Sequence, residues 1–339
     1  MRAQFLLRPL SLQLIISISV LNSNFVLIFA CLVLGAAFKK TARLPAQTAT
    51  ALNAFVIWVS LPALVLLEIP KLLEHTHWST ELLVPVSMAW LLFAFSVVTF
   101  LVIKKIKNWS NQTIGALTLT AGLGNTSFVG FPLLESLHGK EAIPTAVLCD
   151  QLGTFLALST VGILYAMRYA PHSHHRDSHR SQSLLKNVFT FPPFTAMLIA
   201  VLLWKTGLSA QEEARVLFER LASTLVPLAL VAVGFQLRLS RSSLHTHWRA
   251  VGLGLTFKLM AAPLFLTLLY RFAFGSQSLT TQITILESAM APMITAGVVA
   301  EEFGFDREVA SLMIGIGIPL SLITVPLWNT VLTAIGFTA

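Results

Sequence analysis

GLGNTSFVGFP (122–132) and ESAMAP (287–292) decide the reading of this chain. Each is a small, polar, proline-terminated sequence set inside a long apolar run, the first spanning about 114–137 and the second about 280–300. Pro132 and Pro292 would each interrupt a helix, and lipid tolerates such an interruption only where protein or a water-filled cavity supports the freed backbone groups. Two interruptions at corresponding places in two halves of a chain point to a binding site near the bilayer midplane.

The rest of the sequence supplies the membrane context. The chain has 339 residues, 55% of them hydrophobic and 11% charged, with a mean hydropathy of +0.76. The charged share is less than half of the roughly 25% usual for soluble domains. Apolar runs of membrane-crossing length occur at about 22–38, 51–70, 82–103, 114–137, 142–167, 189–206, 221–237, 250–270, 280–300 and 309–334. This is the pattern of an all-α polytopic membrane protein with ten transmembrane helices. Cys31 and Cys149 both fall within apolar runs, which gives no basis for a disulfide framework or a zinc site.

The net charge of +8 is better explained by orientation than by nucleic acid, because the basic residues crowd into short loops on one side. These are Lys39, Lys40 and Arg43, then Lys104, Lys105 and Lys107, then Arg168, Arg176, Arg180 and Lys186, then Arg238, Arg241 and Arg249. The positive-inside rule makes that side cytoplasmic and puts both termini outside, in the periplasm. Trp78, Trp109, Trp204 and Trp248 fall near the ends of runs, as an interfacial aromatic belt requires.

Four segments follow: an N-terminal extension (1–21), a first five-helix repeat (22–168), a cytoplasmic linker (169–188) and a second repeat (189–339). The extension carries Arg2 and Arg8 ahead of a short apolar core, as a signal peptide would. It continues into the first run without an evident cleavage site, so an extension of helix 1 is the preferred reading. His172, His174, His175 and His179 in the linker are read as solvated loop rather than as metal ligands. Pro62 and Pro227 are 165 residues apart, and Pro132 and Pro292 are 160 apart. This near-agreement indicates an internal repeat. An odd number of spans per repeat turns the second copy upside down, giving two inverted five-helix repeats with broken helices 4 and 9.

A helix N-terminus carries about half a positive charge and unpaired N–H groups. Two such ends meeting at mid-membrane would attract an anion. The residues expected to bind substrate are Asn125, Thr126, Ser127, Gly130 and Pro132 from the first break and Ser288 and Pro292 from the second. Gly122 and Gly124 would let the backbone come close. The alternative is that these small residues only pack helices together, which leaves Asn125 unexplained.

Asp150, Lys258 and Glu287 are full charges inside apolar runs, where each costs at least about 2.5–3.5 kcal/mol unless paired or facing a cavity. Asp150 with Gln151, and Glu287, are candidates for coupling to H+ or Na+. Lys258 is a candidate for charge balance, and a purely structural carboxylate–lysine pairing is the competing account. No histidine lies deep in a run, and no phosphate-cradling G-x-x-x-x-G-K-[ST] occurs. Neither hydrolase nor ATPase chemistry is therefore expected, and no cofactor is called for.

LNAFVIWVSLPALVL (52–66), GNTSFVGFPLL (124–134), ESAMAPMITAGVVAEEFG (287–304) and GIPLSLITVPLW (317–328) resemble, as an ordered set, bacterial members of the auxin efflux carrier family. The likeness extends over nearly the whole chain after residue 22. That family includes malonate and malate permeases and is similar in fold to the bile acid:sodium symporters. The resemblance implies a scaffold of helices 1, 2, 6 and 7, a transport unit holding the crossing broken helices 4 and 9, and carriage of small organic acids. It also implies a possible homodimer through the scaffold, and matches Asn125, Pro132 and Pro292 to the crossover. Glu287 falls, by a looser alignment, where the related sodium symporters use a glutamate as ion ligand. The long soluble loop of the plant auxin carriers is missing here, which makes auxin itself a poor expectation.

The expected function is secondary transport of a small organic acid anion across the bacterial cytoplasmic membrane. A cation/proton antiporter on a similar crossover fold and a non-transporting membrane sensor are the alternatives.

Overall fold

The computed structural model describes residues 23–75, 82–171, 190–206, 212–236 and 241–337, and the chain is helical throughout them. The N-terminal extension, Trp78 and the histidines of the linker lie outside the described residues. In chain order the helices are α1 (Ser23–Thr41), α2 (Thr48–Phe55 continuing through a π turn at Val56–Ser60 into Leu61–His75) and α3 (Leu83–Lys107). A broken helix follows, with halves α4a (Asn111–Gly122) and α4b (a π turn at Thr126–Gly130 continuing into Phe131–His138). Then come α5 (Lys140–Tyr169), α6 (Pro192–Thr206), α7 (Glu212–Ser223 and Leu225–Gln236) and α8 (Arg241–Thr256 extended to Ala273). A second broken helix, α9a (Leu279–Ser288) and α9b (Ile294–Glu302), precedes α10 (Arg307–Ala334).

Among the described residues, six helices are long and apolar enough to cross a membrane: Thr48–Lys71, Leu83–Lys107, Lys140–Tyr169, Ala214–Gln236, Ser243–Ala273 and Arg307–Ala334. The distribution of side chains suits a lipid solvent. Val26, Trp58, Val102, Phe272 and Ile323 point outward, while Asp150, Gln151, Lys258, Gln282 and Glu287 are buried. A soluble protein arranges these classes the other way round.

Two layers of contact organise the molecule. α1 packs along α7, and α6 packs along the second part of α2. At the first of these crossings a Cβ on Gly35 would run into the backbone of Val231 and Phe235, and one on Gly234 into the backbone of Leu32. Small residues let the two helices meet backbone to backbone, a packing suited to lipid, where apolar burial supplies no driving force between helices. The broken helices lie in the other layer, with α4a against α3, α9b and α10, and α9a against α3 and α5.

The broken helices begin alike. Ser110 caps α4a by accepting from the Thr113 N–H at 3.1 Å, and Ser278 caps α9a by accepting from the Thr281 N–H at 3.4 Å. A serine oxygen there satisfies one of the donors that a helix start leaves unpaired.

Candidate functional site

The two breaks meet. Asn125 N–H donates to the Ala291 carbonyl at 2.8 Å, and Met293 N–H donates to the Leu123 carbonyl at 3.1 Å. These bonds bracket Gly124 and Pro292 as one antiparallel bridge. Backbone groups freed by both interruptions therefore satisfy each other, as a low-dielectric interior demands. Pro292 occupies the non-hydrogen-bonded position of the pair, where its missing N–H is not needed. Gly124 opposite has no side chain, and a Cβ there would come within 3.0 Å of Lys258 Nζ and 3.3 Å of the Glu287 carbonyl.

The first break is at Leu123–Asn125, upstream of Pro132, which corrects the expectation from sequence. Pro132 lies inside α4b, in the first turn after the π stretch. There the Gly130 N–H reaches back to the Asn125 carbonyl at 3.0 Å, a five-residue closure. Such a bulge is a known way for a helix to absorb a proline. The partner of Pro292 is thus Gly124, and Pro132 has no part in the bridge.

Asn125 starts α4b. Its Oδ1 accepts from the Phe128 N–H at 3.1 Å, which fixes the amide so that Nδ2 is the free end. Asn125 is 3% exposed, and its Nδ2 has no hydrogen-bond partner among the described residues. Thr126 Oγ1 donates to Asp150 Oδ1 at 2.5 Å, and Gln151 Nε2 donates to Asp150 Oδ2 at 2.7 Å. Asp150 is placed by a π stretch of α5, Cys149–Phe155. Asn125, Thr126, Ser127 and Asp150 line one cavity of about 280 Å³, together with Met293, Ile294 and Thr295 at the start of α9b. The N-terminal ends of α4b and α9b thus converge on one space, and α9b has no side-chain cap.

Lys258 and Glu287 hold the second break from behind. Lys258, fully buried on a π turn of α8, donates from Nζ to the Ser288 carbonyl at 3.0 Å. A cation there complements the negative end of α9a. The Glu287 carboxylate sits against Gly130, where a Cβ would fall 2.5 Å from Oε2. Neither of its oxygens has a hydrogen-bond partner among the described residues. Lys258 attracts it and Asp150 repels it across space.

Of the expected site residues, the structure brings Asn125, Thr126, Ser127 and Asp150 onto the cavity. Gln151 stands behind Asp150. Gly130, Ser288 and Glu287 belong to the support of the crossover, as does Pro292 through the bridge. Pro132 lines a different cleft, together with Glu68, Glu135 and Lys140. Sequence reasoning missed the apolar wall, made by Ile57 and Leu61 of α2, Phe155 and Leu158 of α5, and Phe191. Phe155 and Phe191 stack with ring centroids 4.0 Å apart. The one available signal was the proline-bearing span 2, which supplies Ile57 and Leu61.

Crossed helix breaks enclosing a polar pocket within an apolar, many-helix chain define a multi-pass membrane transporter. A model of the family described as membrane transport protein matches residues 19–329, and the chain belongs to that family, the auxin efflux carriers. Over 313 residues it is 25% identical to an uncharacterized transporter of Methanocaldococcus jannaschii, covering 91% of this chain and 98% of the relative. Over 308 residues it is 28% identical to an uncharacterized transporter of Methanothermobacter thermautotrophicus, covering 90% and 96% respectively.

Proposed function

We propose that the protein is a secondary active transporter of a small organic acid anion, working by alternating access across the cytoplasmic membrane. In this reading ten helices form two inverted five-helix repeats. α1, α2, α6 and α7 are the scaffold, and the unit carrying α4 and α9 moves against it. The observation that carries the proposal is the convergence of two helix N-termini and the unpartnered Asn125 amide on one buried cavity. Such ends favour negative charge and present N–H groups to it.

Two further clefts support movement along the same boundary. One, of about 500 Å³, is bordered by Lys39 of α1, Gln236 of α7, Glu301 of α9b and Arg307 of α10. The other, of about 370 Å³, is bordered by Leu27 of α1, Val226 of α7 and Pro132 of α4b. They lie toward opposite ends of α1, one for each side of the membrane. The charge distribution of the loops assigns the first to the cytoplasm and leaves both termini outside.

Coupling to H+ or Na+ is assigned to Glu287 and to Asp150 with Gln151. A fully buried carboxylate without a hydrogen bond is costly as a bare anion, and a proton or a cation would relieve that cost. Pairing of two copies through the scaffold follows from the same reading. The test is flux of mono- and dicarboxylates into proteoliposomes, with and without proton and sodium gradients. Saturable, gradient-dependent uptake of an organic acid is expected. Ion exchange without any organic substrate would favour a cation/proton antiporter instead.

A further inference from the structure

The crossover cavity contains a carboxylate without a matching cation. Asp150 is the one residue of formal charge among the described residues that line it. Lys258 is not part of the lining; its Nζ lies near Gly124 and donates to the Ser288 carbonyl. Asp150 is 4% exposed; one oxygen accepts from Thr126 and the other from Gln151, and the Ser127 side chain is also a partner. A carboxylate offers about four acceptor positions, so capacity remains for a further donor.

The donors of the cavity are separate from this acceptor. They include the free Nδ2 of Asn125, the N–H groups at the start of α9b, where no side chain serves as a cap, and the hydroxyls of Ser159 and Thr295. The rest of the wall is mostly apolar and includes Phe128, Phe155, Leu158, Phe191, Ile57 and Leu61. A simple carboxylate would satisfy the donors but would lie beside a like charge in a poorly screened interior, which is unfavourable. A simple amine would satisfy Asp150 and leave the donors unpaired, while meeting two positive helix ends.

We propose that the substrate is zwitterionic, an α-amino acid with an apolar side chain. Its carboxylate is held by Asn125 Nδ2 and the α9b terminus, its ammonium group by Asp150, and its side chain lies against the Phe155–Phe191 stack. This rests on the organic-acid reading of the same cavity and narrows it, giving Asp150 to the substrate ammonium and leaving Glu287 as the coupling carboxylate. A volume of about 280 Å³, just under the roughly 300–1,000 Å³ of drug-sized sites, leaves room for one small molecule. The absence of any basic side chain from the described lining disfavours dicarboxylates, whose second carboxylate would have no counter-charge.

The test uses the full chain in proteoliposomes and four probes: L-leucine, 4-methylpentanoate (leucine without its amine), 3-methylbutylamine (leucine without its carboxylate) and malonate. Leucine is expected to undergo saturable exchange, and both single-charge analogues to compete at least about tenfold less well. That factor corresponds to loss of one charge-assisted hydrogen bond. Asp150→Asn should reduce leucine exchange by about tenfold or more, with folding checked by size-exclusion elution. If 4-methylpentanoate or malonate is carried as well as leucine by the unaltered protein, the zwitterion is overturned and the organic-acid reading stands. If 3-methylbutylamine alone is carried, both readings fall; if none of the four probes is carried, the zwitterion is overturned and the wider screen of mono- and dicarboxylates decides the organic-acid reading. The comparison on unaltered protein decides the matter even if the Asp150 variant does not fold.

Discussion

The two helix breaks share one backbone bridge and solve opposite problems. At the α4 break the new helix starts on a side-chain cap, Asn125, a residue that lines the cavity and keeps its amide nitrogen unpartnered among the described residues. At the α9 break the old helix ends on a cation, with Lys258 on the Ser288 carbonyl, and the new helix has no side-chain cap. The first break thus offers polar atoms to a ligand, while the second is secured from behind by buried charge. Matching geometry in two halves does not mean matching chemistry. Here one break is capped by a side chain that lines the cavity, and the other is braced by a buried cation.

The largest effect should come from removing the holding charge. Lys258→Met takes away the cation beside the α9a terminus and leaves Glu287 without its nearest attraction. Leaving a buried charge uncompensated costs about 3–5 kcal/mol, so the purified variant should melt well below the parent. Lys258→Met with Glu287→Gln should recover most of the loss, because the double change removes both charges. Equal melting of the single variant and the parent would show that the second break is not secured by charge.

Next come the two variants that separate capping from recognition at Asn125. Asn125→Ala loses both functions, at about 1 kcal/mol of stability for the cap and about tenfold or more in transport. Asn125→Asp keeps an oxygen for the Phe128 N–H but replaces the free amide donor with an acceptor. It should keep the cap, melt somewhat below the parent because a second carboxylate enters a buried site near Asp150, and fail to carry substrate. Transport at the parental rate by Asn125→Asp would remove the amide from the site. A much lower melting temperature for this variant would mean that the cap does not tolerate the charge.

Glu287→Gln should change stability less, since Lys258 keeps the Ser288 carbonyl at the negative end of α9a as its partner. Its effect should fall on coupling. Flux should lose its dependence on the proton gradient if Glu287 carries the proton, or its sodium stimulation if Glu287 binds the ion. Measuring flux against pH and sodium separates these outcomes. Unaltered dependence on both would reduce Glu287 to a structural partner of Lys258.

Much of this was legible in the sequence. The apolar runs coincide with the helices to within a few residues at most ends, because lipid demands continuous apolar length and leaves little choice. The main differences in length are α7 and α8, each of which begins nine residues before its apolar run; the first part of α7, Glu212–Ser223, carries Glu212, Glu213, Glu219 and Arg220. That stretch reads as loop by hydropathy, yet it is helical and packs on α2. Pro292 was placed correctly as part of a break. Pro132 was not, because a proline also fits the first turn of a helix, and its sequence context does not distinguish a helix break from a π turn. Glu287 is close in sequence to the second break, but proximity along the chain did not reveal that its carboxylate lies behind the crossover against Gly130. Phe155 and Phe191 gave no signal at all. An apolar residue in an apolar run has no contrast, and only the fold shows which ones wall a cavity.

The smallest effects should come from the prolines, and they test where the breaks lie. Pro292→Ala adds an N–H at the non-hydrogen-bonded position of the bridge, so no bridge bond is lost. The cost is the added freedom of the unfolded chain, about 0.4–1 kcal/mol, with transport reduced modestly if the bridge loosens. Pro132→Ala acts inside a helix. Alanine is favoured there over proline by up to about 3 kcal/mol, although the π turn at Thr126–Gly130 already relieves part of that difference. Pro132→Ala should therefore be neutral or stabilising, with the crossover bridge intact and transport retained. Melting curves and flux for the two variants side by side give the answer. If Pro132→Ala abolishes transport in well-folded protein while Pro292→Ala does not, the working break of helix 4 is at the proline, and the pairing of Gly124 with Pro292 is not what positions the site.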